Sequence, residues 1–134
     1  MRGTSSPENW SSTRPYSPAV IAGEWVYVSG HVPVDKEGVT SGANVTEQTR
    51  QVLENLERTL ESAGVSRRDV VSTTVYLTDI SDIDAVDAVY REFFLGSGSV
   101  FPSRTTVGIG ALGRPDFRVE ISAVAHSGAH GGDL

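Results

Sequence analysis

Two ionisable residues, Arg104 and Glu120, stand in settings that suit them for chemistry. Arg104 opens the β-branched run Thr105-Thr106-Val107, and Glu120 is enclosed by Val119 and Ile121. A partly buried guanidinium needs an anion, and a carboxyl group among apolar neighbours is either paired or has a raised pKa. The two residues therefore either process an anionic substrate or form a structural ion pair with each other. The residues alone leave both interpretations open.

Other chemical motifs are weaker. The segment Gly108–Gly113 has the letters GxGxxG, but Pro115 and another predicted strand follow where a dinucleotide-binding protein needs a helix. His31, His126 and His130 are too scattered to predict a metal site, so we expect neither a metal nor another cofactor. His31 ends a strand-like run, where it is either a structural histidine or a cleft residue that donates a proton near neutral pH.

The composition of the chain limits the kinds of binding partner that we expect for it. The chain has 11 Lys and Arg against 17 Asp and Glu, a net charge of −6 that repels polyanions, so we expect no nucleic-acid partner. Absence of cysteine excludes disulfides and fits a reducing compartment. The polar N-terminal segment resembles neither a signal peptide nor a membrane anchor. These features predict a cytoplasmic protein without a membrane partner.

The predicted elements place Arg104 and Glu120 on two late strands. We expect one domain over residues 14–126, with flexible tails at 1–13 and 127–134. Its helices begin near Asn44 and Ser81, and its strands follow the apolar runs 19–21, 25–28, 70–77, 104–112 and 117–125. This ββαβαββ order predicts a two-layer α+β sandwich, a mixed sheet with both helices on one face. The other face would be covered by self-association.

Seven short strings in this order resemble one known family. They are Arg14-Pro15-Tyr16-Ser17, Val28-Ser29-Gly30-His31-Val32-Pro33, Thr49-Arg50-Gln51-Val52-Leu53-Glu54-Asn55-Leu56, Thr73-Thr74-Val75-Tyr76-Leu77-Thr78-Asp79, Tyr90-Arg91-Glu92-Phe93-Phe94, Phe101-Pro102-Ser103-Arg104 and Val119-Glu120-Ile121-Ser122-Ala123-Val124-Ala125. Together they span residues 14–125, and the chain is similar to the RidA-like proteins of the Rid (reactive intermediate deaminase), or YjgF, family.

The resemblance implies a chorismate-mutase-like fold and a homotrimer with a cleft between each pair of subunits. It also implies cofactor-free hydrolysis of reactive 2-enamine or 2-imine acids, such as 2-aminoacrylate and 2-iminopropionate, to 2-keto acids and ammonia. By the same resemblance Arg104 pairs with the substrate carboxylate and Glu120 holds the attacking water. Tyr16 is the third expected catalytic residue, and Ser29 and Gly30 line the cleft.

Three positions depart from the family's archetypal deaminases. Asp87 replaces a frequent asparagine, Thr106 stands where some members have cysteine, and His31 replaces glutamine. We expect all three to contact the substrate, and these departures leave the choice of substrate open. Two alternatives to deamination remain open: another Rid-family enzyme of a specialised pathway, or a non-catalytic module that binds small carboxylates.

Overall fold

The computed structural model describes residues 2–7, 13–96, 98 and 100–129. Its strands are β1 (Arg2–Ser5), β2 (Ala19–Ala22), β3 (Trp25–His31), β4 (Val70–Leu77), β5 (Ser103–Gly108) and β6 (Val119–His126). Its helices are α1 (Val45–Ser62) and α2 (Ile83–Leu95). The strands form one sheet in the order β1-β2-β3-β6-β4-β5, in which only the β4–β5 pair is parallel. The predicted α+β class is confirmed.

Helix α1 begins where the sequence predicts. The Asn44 side chain accepts a hydrogen bond of 2.9 Å from the Glu47 backbone, which satisfies one amide of the first turn. A stripe of apolar residues that includes Val52, Leu56 and Leu60 is fully buried against the sheet. Gly64, at a φ of 80°, turns the chain away after the helix. Among the described residues, no helix has the length and apolarity to cross a bilayer.

The sheet has one dry face and one open face. On β6, Val119, Ile121, Ala123 and Ala125 are buried beneath the helices, while the intervening residues are half-buried. Since side chains alternate along a strand, those intervening residues lie on the other face. Within the described ranges, no element packs over that face, and its Trp25 and Tyr27 are 43% and 51% exposed. The open face is the feature from which the sequence predicts self-association.

The N-terminal segment differs from its expected form. Residues 2–5, predicted as part of a flexible tail, form β1 and pair with β2, so the element order gains a strand ahead of ββαβαββ. Edge pairing uses backbone groups, and the exposed side chains of β1 carry no apolar pattern that would reveal it. Ser5 also hydrogen-bonds Ser62 at 2.8 Å. Residues 1, 8–12 and 130–134 of the predicted tails lie outside the described residues.

Candidate active site

Arg104 is held on three sides by side chains of the helix-covered face. Its Nε donates to Thr106 Oγ1 at 2.7 Å, and its Nη2 lies 2.6 Å from Asp87 Oδ1 on α2. The guanidinium carbon also lies 4.7 Å from the centre of the Tyr90 ring, a cation–π distance. We call Arg104, Thr106, Asp87 and Tyr90 the arginine cluster. The structure thus brings together three of the predicted site residues and adds Tyr90.

Tyr90 is a site residue that sequence reasoning treated only as part of the apolar face of α2. Its hydroxyl is 2.7 Å from the Thr73 hydroxyl in a buried contact. Burial raises the pKa of Tyr90, although the Thr73 hydrogen bond and the nearby Arg104 act against the rise. A tyrosine among inward-facing apolar residues is the signal that could have identified it, because a buried hydroxyl needs a partner.

The other five predicted residues line a second site. A cavity of about 990 Å³ lies at the end of β3, and Tyr16, Ser29, Gly30, His31 and Glu120 all contribute to its wall. We call this cavity the glutamate pocket. Its wall continues onto α1 and onto the loop before β6, which sequence reasoning did not include. The additional residues used below are Asn55, Arg58, Thr59, Arg114 and Phe117.

Gly30 makes room for the Glu120 carboxylate. The pairing of β3 with β6 shifts register between Val28 and His31, so Ser29 and Gly30 form a bulge beside β6. A methyl group on Gly30 would overlap the Glu120 carboxylate and its carbon. Burial raises the pKa of Glu120. Ser29 is fixed by a 2.6 Å hydrogen bond from its hydroxyl to the Ser17 carbonyl.

His31 is buried, and both of its ring nitrogens are hydrogen-bonded. It is only 5% exposed, and its Nδ1 and Nε2 lie 2.7 Å from the Ser29 carbonyl and the Thr59 hydroxyl. A carbonyl can only accept, so Nδ1 carries the proton and the Thr59 hydroxyl donates to Nε2. Burial lowers the pKa of His31, against the opposing effect of the Ser29 bond, and Arg58 lowers it further. This geometry supports the structural interpretation over that of a proton donor near neutral pH.

The arginine cluster and the glutamate pocket lie on opposite faces of the sheet. Arg104 pairs across β4 with Thr73, whose hydroxyl meets α2 on the covered face. Glu120 pairs with Tyr76, an odd number of residues farther along β4, and therefore faces the other way. None of the four residues of the arginine cluster belongs to the wall of the glutamate pocket.

One structural alternative is therefore overturned. The carboxylate beside Arg104 belongs to Asp87 and not to Glu120, so the predicted Arg104–Glu120 ion pair does not form within the chain. A site that contains both Arg104 and Glu120 needs residues from two chains. As for metals, the part of the chain that the structure describes holds no group of three or more potential ligands.

Comparison with known proteins identifies the family. The family model described as Endoribonuclease L-PSP matches residues 7–127. A RutC family protein of Pyrococcus horikoshii is 41% identical over 113 residues, which are 84% of this chain and 86% of that protein. The 2-iminobutanoate/2-iminopropanoate deaminase of Salmonella typhimurium is 38% identical over 111 residues, 83% of this chain and 86% of the enzyme.

Solved structures agree with these relatives. The crystal structure of YyfA, a Rid family protein from Yersinia pestis, superposes with a TM-score of 0.88 at 32% identity and covers 94% of this chain and 99% of that one. The resemblance seen in the short strings is thus matched over the whole fold. The chain belongs to the Endoribonuclease L-PSP family, also known as the YjgF or Rid family.

Proposed function

We propose that this protein hydrolyses 2-imino and 2-enamine acids to 2-keto acids and ammonia in a cleft between two copies of the chain. The arginine cluster of one copy and the glutamate pocket of its neighbour would form each cleft. The observation that carries the proposal is the placement of Arg104 and Glu120 on opposite faces of one sheet. The deaminase name of the Salmonella relative supports the reaction type.

Arg104 is oriented to bind the substrate carboxylate. A guanidinium presents two forks of N–H groups, one formed by Nε with Nη2 and one by Nη1 with Nη2. Thr106 accepts from Nε of the first fork, which leaves the second for two parallel bonds to a carboxylate. The Tyr90 ring covers one face of the guanidinium and limits its rotation. The substrate is thereby positioned with its imine carbon at a defined distance from the arginine.

Glu120 would activate the water. The imine carbon, formed directly or by tautomerisation of an enamine, is already electrophilic, so the reaction needs a positioned water and proton transfers. Glu120 takes one proton from the water as the water oxygen bonds to that carbon, and returns the proton to the nitrogen, which gives a carbinolamine. Glu120 then moves the hydroxyl proton to the nitrogen, so that the carbonyl forms as the carbon–nitrogen bond breaks and ammonia and the keto acid leave. A pKa raised by burial favours this proton exchange.

Tyr16 and the bulge would complete the cleft. Tyr16 lies in the pocket wall with 46% of its surface exposed, where an approaching subunit or substrate can cover it. The open sheet face carries the exposed Trp25 and Tyr27 and gives the neighbour a surface to bury. A closed ring of three copies would place one arginine cluster beside one glutamate pocket at each interface.

Mixing two inactive variants tests the shared site. Arg104→Lys removes the forked donor and Glu120→Gln removes the base, so each pure variant should lose nearly all turnover of 2-aminoacrylate generated by a dehydratase. In an assembly co-folded from equal amounts of both, an interface is intact when one chain supplies Arg104 and the other supplies Glu120. Random assembly makes about one quarter of the interfaces intact, so about one quarter of wild-type activity should return.

The matched control is Arg118→Lys, because Arg118 binds Asp82 at 2.9 Å outside both half-sites. It should change thermal stability more than turnover. Mixtures that stay inactive while the wild type is active would show that the two residues do not share an interface. A wild type that binds 2-keto acids and never accelerates imine decay would instead identify a binding module.

A further inference from the structure

We propose that the glutamate pocket also binds a second anionic group on the substrate, through Arg58 and Arg114. The preferred substrates would then be 2-imino acids with a distal carboxylate. This inference rests on the proposed deaminase function and adds a substrate class to it. The residues involved belong to the pocket wall and have no part in the bond-making steps described above.

The described part of the pocket wall is richer in cationic than in acidic side chains. It contains four cationic side chains and two acidic ones, although the chain as a whole carries −6. The cations are Arg14, Lys36, Arg58 and Arg114, and the acids are Asp35 and Glu120. A concave site of one sign attracts ligands of the other, because its low-dielectric walls focus the field.

Of the two acidic side chains in this wall, one is hydrogen-bonded within its own turn and the other has a raised pKa. Asp35 Oδ1 accepts hydrogen bonds from the Glu37 and Val39 amides, at 2.9 and 3.0 Å, and so closes its own turn. Burial raises the pKa of Glu120, which favours its neutral form relative to an ordinary glutamate. Neither acid is within 4.0 Å of Arg58 or Arg114 in the described part of the chain.

Arg58 and Arg114 are anchored by neutral groups, and neither has a carboxylate partner among the described residues. Arg58 Nη2 donates to Asn55 Oδ1 at 2.7 Å, and the amide of Asn55 is itself fixed by the Val32 and Val34 carbonyls. Arg114 donates to the Gly38 carbonyl at 2.7 Å and lies 5.3 Å from the buried Phe117 ring.

Three half-buried arginines differ from these two, which are exposed at the pocket wall. Arg67, Arg104 and Arg118 each have an acidic partner, whereas Arg58 and Arg114 have none among the residues described. Neutral anchors hold a guanidinium in place without cancelling its charge. Two such groups in one wall form a binding site for an anion.

The size of the pocket agrees with a longer substrate. Its volume of about 990 Å³ is at the upper end of the range of about 300–1,000 Å³ for small-molecule pockets. A three-carbon imino acid, held by its carboxylate at Arg104 of the neighbouring copy, is short for a pocket of this size. A side chain that ends in a carboxylate can cross the pocket and reach the two arginines.

An isosteric pair of substrates tests the inference. An L-amino acid oxidase converts glutamate and glutamine to imines that differ only in the charge of the distal group, and catalase removes the peroxide. We expect wild-type kcat/KM for the glutamate imine to exceed that for the glutamine imine by about tenfold. The double variant Arg58→Gln, Arg114→Gln should bring this ratio close to one. Arg68→Gln, which removes an arginine outside the pocket wall, is the matched control and should keep it.

Two further readings separate the possible failures. Equal kcat/KM for both imines, in a wild type that hydrolyses 2-iminopropionate, would overturn the second-anion site and leave the deaminase proposal intact. If no imine is hydrolysed, calorimetric binding of 2-oxoglutarate against 2-oxopentanoate decides the matter. A preference for 2-oxoglutarate that the double variant loses would support the site, and equal binding would overturn it.

Discussion

Arg104 and Glu120 point to opposite sides of the same sheet, with β4 between their strands. Each residue has its own neighbours on its side of the sheet. Thr106, Asp87 and Tyr90 surround the arginine, and Gly30 lies beside the glutamate. Because the sheet separates them, the two residues do not meet in one site within a single chain. Catalysis by both residues therefore requires an assembly.

Replacing Arg104 by lysine keeps the charge and removes the fork. We expect kcat/KM for 2-iminopropionate to fall roughly 30- to 900-fold, which corresponds to about 2–4 kcal/mol of lost transition-state stabilisation. Steady-state kinetics give this number, and melting curves give the stability of the same sample. A variant with unchanged assembly, stability and turnover would remove Arg104 from the mechanism.

A methyl group at Gly30 should act through Glu120. In Gly30→Ala the new carbon displaces only the end of a flexible side chain, so the free energy of unfolding should change by no more than about 1 kcal/mol. The displaced carboxylate should lower kcat about tenfold or more. Gly110→Ala is the control, because a methyl group there meets no atom within 4 Å. Equal kcat in both variants would show that the position of this carboxylate does not matter.

Asp87 should weaken binding of the substrate carboxylate. Its Oδ1 is buried beside Arg104, and no donor among the described residues is aligned to hydrogen-bond it. Asp87→Asn removes a negative charge next to the anion site, so KM should fall roughly two- to fivefold, the range for a partly exposed charge interaction of about 0.5–1 kcal/mol. Asp84→Asn, at an exposed position of α2, should leave KM unchanged. A higher KM in Asp87→Asn would indicate that the ion pair is needed to hold Arg104.

His31 should make stability depend on pH. Its pKa is lowered in the folded chain, so below the ordinary value of 6.5 the unfolded chain binds the extra proton first. The contribution of His31 to the free energy of unfolding should be greatest above pH 6.5 and should decline as the pH falls toward the folded-state pKa. Denaturant titrations at pH values from about 7.5 down to about 5 give this free energy of unfolding. Its decline with falling pH should be shallower in His31→Gln than in the wild type. His126→Gln, at the surface beside Glu24, should retain the wild-type slope.

Local signals made much of the fold predictable. The capping pattern at Asn44 and the left-handed Gly64 bound α1, and the β-branched run Val70–Leu77 is the whole of β4. These features depend on a few neighbouring residues. By contrast, β1 pairs through its backbone, and its side chains show no pattern from which that pairing could be predicted.

The candidate-site residues could be proposed one by one from the sequence, but their arrangement could not. Alternation along a strand tells which residues share a face of that strand, whereas the matching of faces between strands depends on register. The registers that pair Arg104 with Thr73 and Glu120 with Tyr76 separate the two residues, and no spacing in the sequence contains that information. For the same reason Asp87, one helix away, was not expected as the arginine's partner.

Strand β1 has a consequence for the behaviour of the chain outside catalysis. It buries almost nothing, yet it occupies the backbone groups along the outer edge of β2. A chain trimmed of its first six residues would keep its core and both half-sites while presenting Ala19–Ala22 as an unpaired strand to other chains. Proteolytic clipping or a poorly placed affinity tag would thus expose a strand edge that favours aggregation of the folded chain.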